Sequence, residues 1–146
     1  SIYRWEAPDD LYAAFMKIYA GTKVAEGLNP VQVAVQRAKQ APIRLLGSLR
    51  NQVSVSTTYL DRAELLASVC FYLQELSGPD KPFFLSVQQA GEVFGLEDQY
   101  AKNAGSGFLT ALAPLVRHTG NEASVVAKKC REYFFDVERT DLYTFD

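Results

Sequence analysis

The sequence predicts an α+β fold in which helices dominate, and three observations carry that expectation. Between Asp61 and Ser77, Leu65, Leu66, Val69, Cys70, Leu73 and Leu76 recur at three- and four-residue spacing, the period of a helix with a buried face. Ser86 and Gln89 form a Ser-x-x-Gln pair, whose hydroxyl and amide satisfy each other's orphan backbone donors at a helix start. Pro82-Phe83-Phe84-Leu85 is an apolar run too short for a helix and suited to a small strand. The chain has 146 residues, of which 48% are hydrophobic and 22% charged. That length and balance belong to an ordinary globular domain with a real core, needing neither disulfides nor metals.

The elements are expected in the following order. Pro8 to Ala20 reads as a helix, capped by Asp9 or Asp10, with Leu11, Phe15, Ile18 and Tyr19 on one face. A second helix starts at Pro30 under an Asn29 cap, takes its apolar face from Val31, Val33, Ala34, Val35 and Ala38, and stops at Pro42. Arg44 to Leu49 reads as a further short helix, and Asn51 to Thr58 as a loop or short strand. Asp61 is expected to cap the helix that ends at Gly78-Pro79. The Ser86 helix runs to about Phe94, Gly95 breaks it, and another continues from about Glu97 towards Ala113 and Pro114. The tail alternates between a strand at Leu115-Val116-Arg117, a turn at Thr119-Gly120-Asn121 and an aromatic strand at residues 133–137. Residues 1–58 form the N-terminal helical region and 59–146 the second part of one compact unit.

Composition also narrows the function. No window approaches the roughly 18 consecutive apolar residues of a membrane span, so no membrane partner is expected. Arg4, Glu6, Asp9, Asp10 and Lys17 interrupt any apolar signal segment, and the start at Ser1 is expected of a domain excised from something longer. Cys70 and Cys130 are the only cysteines; two isolated thiols in apolar segments fit a reducing, cytoplasmic compartment and burial as small hydrophobes. The net charge is −2, but its distribution is uneven. Arg37, Lys39, Arg44, Arg50 and Arg62 face a single acid, Asp61, between Leu28 and Arg62. Arg117, Lys128, Lys129 and Arg131, with His118, face only Glu122. Local basic patches are what phosphate contact needs; solvated helix faces are the plain alternative.

The segment Val87–Ser106 carries the functional reading. Gly95 allows a tight turn, Ala90 and Gly91 are small where two helices would meet, and Phe94, Leu96, Ala101 and Ala104 would plug the crossing into the core. This pattern resembles a helix-turn-helix over about 20 residues. With the preceding helix, the short strand and two following strands, residues 60–140 resemble a winged helix-turn-helix carrying an N-terminal helical extension. Pro82-Phe83-Phe84-Leu85-Ser86-Val87-x-x-Ala90-Gly91 looks like the modules found beside primases and replication initiators of plasmids and phages.

That resemblance implies a DNA-binding role, on duplex or single strands, in a replication-associated protein, with other replication proteins as further partners. The second helix would then lie in the major groove. Gln99 and Asn103 would pair with adenine, Lys102 with guanine or phosphate, and Ser106 would face the same way. Arg117, His118, Lys128 and Lys129 would flank the wing, while Arg37, Lys39 and Arg44 hold phosphates. Against this, Glu97 and Asp98 repel phosphates at the helix start, and Gly105 and Gly107 each cost the helix about 1 kcal/mol relative to Ala. The alternative is a winged-helix docking module for another protein.

Enzymatic readings lack their required residues. Ala104-Gly105-Ser106-Gly107 has no Lys-Ser or Lys-Thr after it, so it does not make a phosphate loop. His118 is the only histidine, with no cysteine spacing to complete a zinc site. Asp9-Asp10 and Glu97-Asp98 are explained by helix capping, and Ser124 lacks an oriented base. The expectation is a binding module with no metal and no cofactor, any catalysis residing in another domain.

Overall fold

The structure, a computed structural model, describes residues 29–125 and 128–146, with the side chains of residues 29–120 and 130–146. The helix expected over Pro8–Ala20 lies outside the described residues. Among these residues the order is α1 (Pro30–Gln40), β1 (Ile43–Leu45), α2 (Gly47–Val53), α3 (Thr57–Ser77), β2 (Phe83–Leu85), α4 (Val87–Glu92), α5 (Asp98–Ala111), β3 (Val116–Val125), β4 (Lys128–Phe135) and β5 (Tyr143–Phe145). The fold is α+β and mainly helical, as the sequence predicts.

The axis is α3. Ala63, Leu66, Ala67, Val69, Cys70 and Leu73 are fully buried on it, far more than one face, because neighbours lie on several sides. Along it pack α1 and the strands β1, β2 and β4. Two small antiparallel sheets complete the core. One pairs β1 with β5, Ile43 opposite Phe145 and Leu45 opposite Tyr143. The other has the order β2-β4-β3, with Phe83 opposite Tyr133 and β3 and β4 forming a hairpin.

Several local expectations hold. Asn29 caps α1 in a full capping box with Gln32, and Pro30 occupies the first turn. Gly78 ends α3 at φ +110°. Phe83–Leu85 is a strand with both outer residues buried. The Ser86–Gln89 box is formed in both directions, each bond 3.0 Å long.

Four expectations need correction. Residues 43–45 form a strand rather than the start of a helix, because Ile43 and Leu45 alternate inward around an exposed Arg44 and pair with β5. The segment expected as loop or strand is instead helical to Val53; Leu49 and Val53, four apart, are both buried. The cap of α3 is Ser56, whose hydroxyl accepts from Tyr59 N–H at 3.0 Å, and not Asp61, which sits inside the first turns. Thr119-Gly120-Asn121 lies within β3, where the register to β4 shifts between His118 and Glu122 and Gly120 takes φ +95°. The hairpin reverses further on, after Val125. A bulge and a turn share the same residue chemistry, so local composition does not separate them.

Polar side chains buried on α3 finish the open edge of β1. Ser68 Oγ accepts from Ile43 N–H at 2.8 Å, and Glu64 Oε2 accepts from Leu45 N–H at 2.9 Å. Glu64 is only 6% exposed in its side chain and also meets Arg44 at 3.1 Å and Arg50 at 3.8 Å. A buried carboxylate is tolerable because two guanidiniums and a backbone donor share its charge. Gln74 does the same work at the other end. Its amide donates to the Gly78 and Lys81 carbonyls, and its carbonyl accepts from Phe135 N–H at 3.0 Å, tying α3 to β4.

Candidate nucleic-acid interface

The site rests on how closely α4 and α5 approach. A Cβ built on Gly91 would fall 1.8 Å from the Ala101 carbonyl oxygen, and one on Gly105 would fall 1.8 Å from that of Val87. Each helix therefore presents a glycine notch to the other's backbone. Gly105, which the sequence reads as a cost to its helix, is needed for the contact. Between the helices, Gly95 adopts φ +79°, a left-handed conformation that favours glycine. Val87–Ser106 is thus two helices joined by a break, not one rod.

The junction is plugged from the α3 side. Phe108 of α5 lies 4.4 Å from the Tyr59 ring and 5.0 Å from Phe94, and the Arg62 guanidinium sits 5.6 Å above the Phe94 ring. Ala90 and Ala101 are fully buried. With that face fixed inward, Gln99, Lys102 and Asn103 are all exposed, and Ser106 is half-buried beside them. Gln99 Nε2 donates to Asn103 Oδ1 at 2.9 Å.

The start of α5 departs from the capping expectation. Glu97 is the N-cap residue but makes no side-chain hydrogen bond to the helix, and Asp98 takes φ +51°. Aspartate tolerates that conformation better than most residues, at a cost of about 1 kcal/mol. The two carboxylates therefore remain exposed acids at the helix end.

The other expected contact residues are distributed unevenly. Arg117 is exposed on β3 with its Nε 3.8 Å from Asp136, and His118, next along, rests 5.2 Å from the Tyr133 ring. Lys128 and Lys129 lie on β4 at the hairpin end, opposite Val125 and Ser124; their side chains are outside the described residues. Lys39 is exposed and lines a groove between α1 and α4 with Gln36, Gln89 and Glu92. Arg37 pairs with Glu75 at 3.4 Å. Arg44 bridges Glu64 and Asp146, each at 3.1 Å, and these partners raise its already high pKa. The structure thus gathers Gln99, Lys102, Asn103 and Ser106 on one helix face, and commits Arg37 and Arg44 to carboxylates elsewhere.

Two outward residues of α5 escaped the sequence reading. Tyr100 is 77% exposed, and Thr110 continues the row of Gln99, Asn103 and Ser106 at helical spacing. The spacing signal was present for Thr110. For Tyr100 it was not, since aromatic residues are ordinarily core.

Among the described residues no three His, Cys, Asp or Glu side chains converge to hold a metal ion. No helix among them is long and apolar enough to cross a membrane. Comparison with known protein families, with characterised proteins and with solved structures returns no match for this chain.

Proposed function

We propose that the chain is a winged helix-turn-helix module that binds DNA, with α5 as the reading helix and the β3–β4 hairpin as the wing. The observation that carries this reading is the α4–α5 elbow, which leaves Gln99, Lys102 and Asn103 projecting from a helix braced by Phe108. The order helix, strand, helix, helix, strand, strand, with β2 pairing β4 across the hairpin, supports it. The resemblance at Pro82–Gly91 suggests a replication-associated setting with other replication proteins as further partners, and the two isolated thiols suggest a cytoplasmic one. In this reading the chain binds and positions, and catalysis belongs to another domain.

A second reading, docking of another protein on the same surface, is favoured by one fact. Among the described residues, Arg37, Arg44 and Arg117, three of the expected phosphate contacts, each have a carboxylate within 4 Å. Fluorescence anisotropy with duplex and single-stranded DNA over a salt series separates the two. The DNA reading expects log–log salt slopes of about −2 to −4, from a few phosphate contacts. Binding to neither form would remove it.

A further inference from the structure

The bond between Gln99 and Asn103 has a chemical consequence for what α5 recognises. Gln99 spends one amide hydrogen on Asn103 Oδ1 and keeps its carbonyl and its second amide hydrogen. It therefore shows an acceptor beside a donor from a side chain anchored one turn along an exposed helix face. Adenine shows the complement in the major groove, an N7 acceptor beside an N6 donor; guanine offers two acceptors, cytosine a donor, and thymine an acceptor and a methyl group. Asn103, its oxygen engaged, keeps both amide hydrogens and suits a neighbouring base edge that offers acceptors.

We propose that Gln99 and Asn103 act as one reading unit for an adenine in duplex DNA, an inference that rests on the DNA-binding reading above. The surrounding charge agrees with a role in discrimination. Lys102 is the only cation on α5, and the exposed Glu97 and Asp98 precede the pair, so the helix gains little from phosphates. One hydrogen bond on the exposed helix face joins the two amides and biases their rotamers towards the paired arrangement.

The test uses the full chain. Preferred sites are selected from a randomised duplex library, and each preferred adenine is then replaced by 7-deazaadenine, which lacks the N7 acceptor. Affinities are measured for the wild type, Gln99→Ala and Asn103→Ala, with circular dichroism showing that each is folded. One adenine is expected whose replacement, which removes one bond of the pair, weakens wild-type binding by about 2- to 13-fold. The same replacement leaves Gln99→Ala unchanged, and Asn103→Ala loses part of the discrimination because Gln99 loses its anchor. Selective duplex binding with no such adenine, or an equal penalty in Gln99→Ala, overturns the paired reader and leaves DNA binding standing. Duplex binding without sequence preference does the same. A folded protein that binds no duplex at any salt concentration overturns the paired reader, and one that binds neither duplex nor single strands overturns both.

Discussion

Three glycines of the α4–α5 region would respond to the same methyl group in opposite ways. Gly91 and Gly105 face carbonyl oxygens at 1.8 Å, whereas a Cβ on Gly107 meets nothing within 4 Å. Gly91→Ala or Gly105→Ala forces two helix backbones apart and is expected to destabilise by about 3 kcal/mol, the upper range for overpacking. Gly107→Ala is expected to stabilise by up to about 1 kcal/mol, since alanine is the better helix residue and has room. Urea melts of the three variants check both signs. Cys70 makes a second residue-scale case. It is fully buried, and loss of solvation pushes its thiol pKa up, so the thiolate needed for alkylation is scarce. Mass spectrometry after iodoacetamide treatment is expected to find Cys70 unmodified in the native protein and modified in urea.

At the scale of elements, what the sequence revealed depended on how local the controlling contacts are. The caps at Asn29 and Ser86, the break at Gly95 and the closing Gly78 act over three or four residues, and all were legible. The strand at Ile43–Leu45 was not, because its partner is Tyr143–Phe145 and its open edge is finished by Glu64 and Ser68. Nothing within ten residues of Arg44 announces that arrangement. The candidate site followed the same division: Gln99, Lys102 and Asn103 were readable from helical spacing, while the diversion of Arg37 and Arg44 into ion pairs required the fold. Glu64 offers a test of the strand edge. Glu64→Ala strands the Leu45 N–H, takes the carboxylate from beside Arg50 and leaves Arg44 with Asp146, and a loss of about 2–3 kcal/mol is expected in chemical denaturation. Glu64→Gln can keep one bond to the strand and should lose less.

For the molecule as a whole, the charged residues divide between those that hold the fold and those left for a ligand. Lys102 and Arg44 separate the two roles. Lys102→Ala is expected to reduce the magnitude of the salt slope for DNA by about 1 and to leave the melting temperature unchanged. Arg44→Ala is expected to leave the slope unchanged. Its stability cost is expected at about 1–2 kcal/mol: the Arg44 side chain is 44% exposed, which screens the pair, but the buried Glu64 carboxylate is left with Arg50 at 3.8 Å. The reverse pattern would place the phosphate contacts around β1 instead of on α5.

The contact between Arg44 and Asp146 joins positions 102 apart in sequence, and the two short strands around it pair residues 98 to 102 apart. Closing so long a loop is entropically costly, and only a three-residue ladder repays it directly. Such a clasp belongs to the late stages of folding, after α3 has consolidated its neighbours. Substitutions within it should therefore leave the refolding rate nearly intact and act by hastening unfolding. Whatever durability it lends the protein would be measured as lifetime.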